Sequence, residues 1–273
     1  KNKIFHDTVA YGGWPLDGHP PVGFHYNGEP NVSIETPSPY CIPYRAMYSK
    51  EVSNLFFAGR NISTTHMALS STRVMATCAV IGQAVGTAAA VAARNGMTPH
   101  EVYKNKLEEL RELLLENDCF LPDIKRGIGE LCKNTPITNG SDLLKNGEDR
   151  PNTIYGSTDC GISVENGTAL TYKFDKPEYI RTLHLTFNSD LNRDTLPGDF
   201  PERSHSMRCN VKLDSPQCYV PKTLCRKFSL SLGTPSGTKM IIDTDCNLRR
   251  SYNIDINEAV QSITLIPYSN WGE

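Results

Sequence analysis

Two histidines and one arginine are the side chains whose type and placement suit them to chemistry. His66 lies in the loop between a short strand and a helix, His19 sits in Asp17-Gly18-His19-Pro20, and Arg73 closes a serine/threonine cluster ahead of a long small-residue run. An unperturbed imidazole titrates near neutral pH, so either histidine could remove a hydroxyl proton while a hydride departs to an acceptor; each also reads as a hydrogen-bonded structural group. Arg73 offers a cation to an electron-rich ligand, or equally to a surface salt bridge. Asp17 and His19, with His25 and Asp7 nearby, permit a metal reading because residues two apart on a strand share a face. No E-x-x-H or C-x-x-C spacing supports it, so the expectation is no metal. Tyr44 and Arg45 stand in a proline-bracketed turn, where they line a cavity or pack.

These residues must be positioned by the segment Asn54 to Arg94. Leu55 to Ala58 is a short apolar run ending at Gly59, the pattern of a strand buried on both faces. Ser70, Ser71 and Thr72 are suitable caps for the helix that follows. A helix N-terminus exposes unpaired N–H groups and the positive end of the dipole, which favours an acceptor-rich ligand. Within the helix Gly82, Gln83, Gly86 and the alanines through Ala93 put small side chains on nearly every face. Close packing in a core is the plain reading, and approach of a flat ligand or a second backbone the functional one. Gln83, two threonines, and arginines at both ends (Arg73 and Arg94) argue against a membrane span.

The block NLFFAGRNIS, followed by RVMATCAVIGQAVGTAAA, resembles the C-terminal cofactor signature of FAD-dependent oxidoreductases of the FAD-oxidored type, distant relatives of the fumarate reductase and aspartate oxidase flavoproteins. Upstream, AYGGWPLDGHPPVGF and YCIPYRAMYSK resemble the end of that family's substrate domain. The resemblance implies an FAD cofactor held by Gly59, Arg60, Asn61, Arg73, Val74, Met75 and Ala76, with catalytic roles for His66, His19 and Arg73. Related flavoproteins often have an acidic residue after the strand-ending glycine, to bind the ribityl hydroxyls; Arg60 stands there instead. Backbone N–H groups of Val74, Met75 and Ala76 would face the pyrimidine edge, where a donor stabilises the anionic reduced flavin. The reaction implied is hydride transfer between FAD and a small organic, sugar-like substrate.

A flavin-binding Rossmann fold opens with a strand, a G-x-G-x-x-G turn and an acidic residue about 20 positions on. No such turn occurs in this chain. The expectation is therefore a C-terminal fragment, inactive alone and not retaining FAD, whose partner is the upstream part of the same protein. The expected layout is residues 1–53 as the end of a substrate domain and 54–118 as the C-terminal part of an FAD-binding domain. A linker, 119–136, and a β-sandwich, 137–273, complete it, for an α+β fold class.

The chain of 273 residues has a net charge of -2, which argues against nucleic acid as a partner. Nine cysteines without paired zinc spacings lean toward free thiols in a reducing, cytoplasmic compartment. Cys209, Cys218 and Cys225 are near enough in sequence to bridge, and Asn31, Asn61, Asn139 and Asn166 head glycosylation sequons, so export stays open. Thr98-Pro99-His100-Glu101 is a capping box with proline at the first helical position; Val102, Tyr103, Leu107, Leu110, Leu113 and Leu114 then recur at helical spacing to a stop near Asn117.

From Ile137 onward the composition shifts to Thr, Ser, Asn, Asp, Tyr and Gly. Short alternating stretches (Ala169 to Phe174, Thr182 to Phe187, Lys227 to Leu232, Ser262 to Ile266) indicate strands of a sandwich. ITNGSDLLKNGEDRPNTIYGS and TALTYKFDKPEYIRTLHLTFNSD resemble the opening of a discoidin-like or galactose-binding-like domain. Such folds bind carbohydrate or lipid or act structurally, so the second functional reading is a non-catalytic binding module with a glycan as partner. Tyr155, Tyr268 and Trp271 could stack on a sugar or pack in the core.

Overall fold

Antiparallel pairing of Thr8–Gly12 (β1) with Tyr40–Pro43 (β4) brings the apolar side chains of Val9, Ala10, Cys41 and Ile42 into one buried layer. In this computed structural model, residues 4–150, 160–190 and 220–273 are described. The chain divides near residue 127 into two compact units, and the architecture is α+β, with the longer helices in the first unit and an antiparallel sheet in the second.

The first unit is organised by Met75–Asn95 (α2). Thr77, Ile81, Ala84, Val85, Ala88, Val91 and Ala92 form its buried face, packed on β1 and on two following helices, Pro99–Asn105 (α3) and Leu107–Glu116 (α4). By length and composition α2 could cross a membrane; its buried face is that of a core helix. The opposite face, with Ala76, Ala79, Gln83, Gly86 and Ala90, is exposed. A Cβ at Gly82 or Gly86 would meet nothing within 4 Å, so among the described residues no segment makes the close approach their small size allows. Gly96, left-handed at φ 61°, ends α2, its N–H bonding the carbonyls of Ala92 and Ala93.

The capping box forms as expected: Thr98 Oγ1 accepts from Glu101 N, and the Glu101 carboxylate accepts from Thr98 N at 2.8 Å. The helix it opens is broken at Lys106, where φ is −134°, and resumes as α4 to a stop at Asn117. Glu130–Asn134 (α5) is a short helix within residues 119–136.

Three local expectations are corrected. Leu55 to Ala58 is not a buried strand: Phe56 makes an isolated bridge to Tyr48, and Leu55 is exposed. A strand buried on both faces needs a layer packed on each, whereas this run pairs with Met47 to Ser49 along one edge and leaves Leu55 and Ala58 exposed. Ser70, Ser71 and Thr72 do not cap α2 but form the buried last turn of a short helix, His66–Thr72 (α1), capped by Thr65. His66 is therefore the first residue of a helix rather than part of a loop.

In the second unit Ile137–Thr138 (β5), Leu170–Thr186 (β6), Cys225–Thr234 (β7), Gly237–Thr244 (β8) and Ser251–Asn270 (β9) form one antiparallel sheet, ordered β5-β6-β9-β7-β8. The alternating stretches read from sequence fall within β6, β7 and β9 apart from their outermost residues. Phe174, Phe187, Phe228, Leu230, Leu232, Val260 and Ile263 supply its core. Asn257, at φ 52°, absorbs the register shift between the Ile180↔Glu258 and Thr182↔Asp255 pairs, a bulge position where Asn tolerates the left-handed region.

Candidate functional site

The α1–α2 junction and a small hairpin against it bring together residues far apart in sequence. Leu16–Gly18 (β2) pairs with Val32–Ile34 (β3), and α1 packs on β2. Ser71 Oγ, on the last turn of α1, donates to the Trp14 carbonyl at 2.6 Å and also meets Tyr40 Oη in a short hydrogen bond. Burial pushes the Tyr40 phenol above its ordinary value, with the Ser71 bond opposing. α1 and the segment entering β2 are thus fastened together.

Arg73 is the C-terminal cap of α1. Its Nη2 donates to the Asp17 carbonyl at 3.1 Å and reaches Asp17 Oδ2 at 3.5 Å. His19 Nε2 lies 3.2 Å from the same Oδ2, and Asn31 Nδ2 donates to Oδ1 at 3.2 Å. The Asn31 amide above all, then His19 and Arg73, hold the Asp17 carboxyl below the usual carboxylate range, against a smaller opposing effect of burial. Asp17 therefore joins two of the three residues singled out as catalytic. The sequence signal for this hub was the Asp17-x-His19 alternation, read above as a metal pattern; Asn31 carried only a sequon. No cluster of three or more metal-ligating side chains occurs among the described residues.

Asp7, weighed with that pattern, is engaged elsewhere. It is fully buried, its Oδ2 accepts from Arg45 N at 3.0 Å, and its Oδ1 makes an ion pair with Arg45 Nη1 at 3.1 Å without hydrogen-bond geometry. Tyr44 is a core residue whose hydroxyl donates to the Pro99 carbonyl at 2.9 Å, so Tyr44 packs, while the Arg45 side chain beside it is exposed. His66 is exposed, and the hydrogen bonds and ion pairs of the Asp17 hub run to His19, Asn31 and Arg73 rather than to it.

The N-terminus of α2 begins where Arg73 ends α1. Val74 is its N-cap, extended at ψ 149°, and no side chain caps it. The first intrahelical bond runs from Cys78 N to the Val74 carbonyl, leaving the N–H groups of Met75, Ala76 and Thr77 without intrahelical acceptors. Met75 is 89% exposed. The N–H of Val74 also precedes that first bond, so the Val74–Ala76 set stands at this end of the helix, with the buried Thr77 one residue on. Gly59, at φ 92°, stands beside this helix: a Cβ there would lie 3.9 Å from Cys78 and meet nothing nearer. Arg60 and Asn61 are exposed. Open N–H donors, an adjacent guanidinium and a glycine with room beside it suit the acceptor-rich edge of a flat heterocycle.

In the second unit Tyr268 is 38% exposed, bonds Ser229 through its hydroxyl at 3.1 Å, and has Lys227 Nζ over its ring. Trp271 packs on the sheet core, donates to the Asn247 carbonyl at 2.7 Å and has Arg226 over its ring. Tyr155, Cys209 and Cys218 lie outside the described residues. Cys78, Cys132, Cys160, Cys225 and Cys246 are free thiols.

No curated protein matches the chain. Two solved structures overlap it in part. One is selenomethionine-labelled CpGH89CBM32-4 produced by Clostridium perfringens, 12% identical, covering 51% of this chain and 83% of that one at a TM-score of 0.29. The other is CpGH89CBM32-4 in complex with glcNAc-alpha-1,4-galactose, 14% identical, covering 54% and 83% at a TM-score of 0.30. A likeness of this degree assigns neither a fold nor a ligand. Residues 1–114 match the family described as FAD dependent oxidoreductase, and the Asp17 hub, Gly59, Arg73 and the α2 N-terminus all lie within that match.

Proposed function

We propose that this chain carries one edge of the flavin site of an FAD-dependent oxidoreductase that oxidises or reduces a small organic, sugar-like substrate. The observation that supports it is the uncapped α2 N-terminus flanked by Arg73, inside the segment that matches the family. The residues that would hold FAD are Gly59, Arg60, Asn61 and Arg73, with the backbone N–H groups of Met75, Ala76 and Thr77 as donors. When bound, FAD supplies a two-electron acceptor for hydride. The chain's own residues bind and orient: the N–H groups and Arg73 favour negative charge at the heterocycle edge, and His19 takes the substrate hydroxyl proton. The phosphate-cradling half of the site comes from the upstream part of the same protein, so this chain alone retains no FAD.

The test is absorption between roughly 350 and 500 nm, the range of flavin bands, after gel filtration with FAD. It is run on the 273-residue chain and on the protein extended upstream. Flavin bands in the extended protein, diminished by Arg73→Ala, are the expected result. An extended protein without flavin overturns the proposal, and a chain that holds FAD unaided overturns the divided site.

A further inference from the structure

Asp17 is the point where three chain segments meet. Its Oδ1 takes the amide of Asn31, the residue just before β3; its Oδ2 takes His19 Nε2 at 3.2 Å and Arg73 Nη2 at 3.5 Å; its carbonyl takes Arg73 Nη2 again at 3.1 Å. We propose that Asp17 is a positioning residue that holds His19 and Arg73 as one unit, an inference that rests on the reading of His19 as base and Arg73 as cofactor-site donor.

The geometry has chemical consequences. An ionised carboxylate has no proton to donate, so Nε2 of a neutral His19 is the donor and Nδ1 keeps the lone pair. Nδ1 is thus the atom that accepts the substrate proton. The ring that forms is an imidazolium whose Nε2–H already faces negative charge, the orienting role a carboxylate plays beside a catalytic histidine. Arg73 is held through Nη2 alone, which leaves its Nε and Nη1 edge without a partner among the described residues. Donors on that edge and a base on the other side of one carboxylate keep a fixed separation, because the Asp17 backbone is fixed by pairing with Ser33 and α1 is fixed by Ser71 on Trp14.

The contrary view is a set of exposed ion pairs. Side-chain exposures of 54% for His19 and 38% for Arg73 are compatible with it, and such pairs contribute little singly. What separates the two is order in the native chain: weakly populated surface pairs leave the His19 tautomers mixed and Arg73 exchange as fast as that of Arg60, whereas a positioning carboxylate fixes both, and both then respond to its removal.

The measurement is side-chain nitrogen NMR on the full chain labelled at histidine and arginine, above the imidazole titration range and without flavin. In the native chain His19 is expected as a single Nε2–H tautomer, with Arg73 guanidinium protons exchanging slower than those of exposed Arg60. Asp17→Ala should return His19 to a tautomer mixture and speed Arg73 exchange by about threefold, leaving His25 and His66 unchanged. Native values at both residues in that variant, or a change at only one, overturn the proposal. Backbone amides of Leu16 and Gly18 report whether the hairpin survives. If it opens, Asp17→Asn, which keeps the shape and removes the charge, takes over, and unchanged Arg73 exchange in that variant overturns the proposal. Because no flavin is present, absence of FAD binding with coupling intact sinks only the flavin reading, and lost coupling with FAD binding intact sinks only the role of Asp17.

Discussion

Ser71 and Trp14 are joined by a 2.6 Å hydrogen bond from a hydroxyl on the last turn of α1 to a main-chain carbonyl just before β2. That bond links the helix ending at Arg73 to the hairpin bearing Asp17 and His19. Ser71 is buried, so removing its hydroxyl takes a hydrogen-bond partner from the Tyr40 hydroxyl, while the Trp14 carbonyl keeps the Thr36 hydroxyl at 3.1 Å. Ser71→Ala should cost about 1–3 kcal/mol of stability. Amide exchange in Leu16–Gly18 should accelerate more than in α4. Uniform acceleration across the first unit would mean that the bond contributes only to global stability.

The buried Asp7–Arg45 pair bears on the core of the same unit. Asp7 is wholly inaccessible, and Arg45 Nη1 is the guanidinium nitrogen facing it. Arg45→Ala strands a buried carboxylate, a change of the class that costs about 3–5 kcal/mol when both partners are buried. Since Arg45 is itself 42% exposed and its backbone N–H still bonds Asp7, the loss should fall toward about 2–3 kcal/mol by denaturant titration. A change below about 1 kcal/mol would place the pair among ordinary surface bridges.

The capping box yields a pH dependence. Hydrogen bonds from the Thr98 backbone and then its side chain hold the Glu101 carboxyl below its ordinary value. A carboxyl whose folded pKa is depressed stabilises the fold above its unfolded pKa, and that contribution disappears as pH falls through the folded one. Below neutrality, the difference in stability between the native chain and Glu101→Gln should therefore be flat until the ordinary glutamate range and then shrink. Thr98→Ala should cost about 1 kcal/mol at neutral pH. Melting curves of the variants across that range check both, and a difference that grows on acidification would contradict the sign.

Local signals were the legible ones. Thr98 and Glu101 are three residues apart, and Phe228, Leu230 and Leu232 alternate on β7, so cap and strand are written in adjacent residues. Ser70 to Thr72 have the composition of a cap, but His66–Thr72 satisfies the same residues as a final helical turn, and composition does not distinguish the two. Leu55 to Ala58 has the apolarity of a buried strand, yet a strand exists only through its neighbours, and neighbours are not a property of the run itself. The Asp17 hub was opaque for a related reason. Arg73 lies 56 positions from Asp17, and only the packing of α1 on β2 closes that distance.

The exposed face of α2 allows the flavin reading to be tested by stabilising the chain. Gly82 and Gly86 occupy helix-interior positions where a Cβ meets nothing within 4 Å. Replacing such a glycine with alanine removes backbone entropy from the unfolded state and should add about 1 kcal/mol per site, or about 2–4 °C in melting temperature. If the small side chains exist only for helix packing inside this chain, the gain comes without loss, because no described segment touches them. The proposed function calls for an upstream half of the flavin site, and where that half packs on this face, added methyl groups cost affinity. Gly82→Ala and Gly86→Ala should therefore raise the melting temperature of the 273-residue chain while lowering flavin occupancy of the upstream-extended protein. Undiminished flavin in that protein would remove α2 from the docking face and leave the two glycines without a functional explanation.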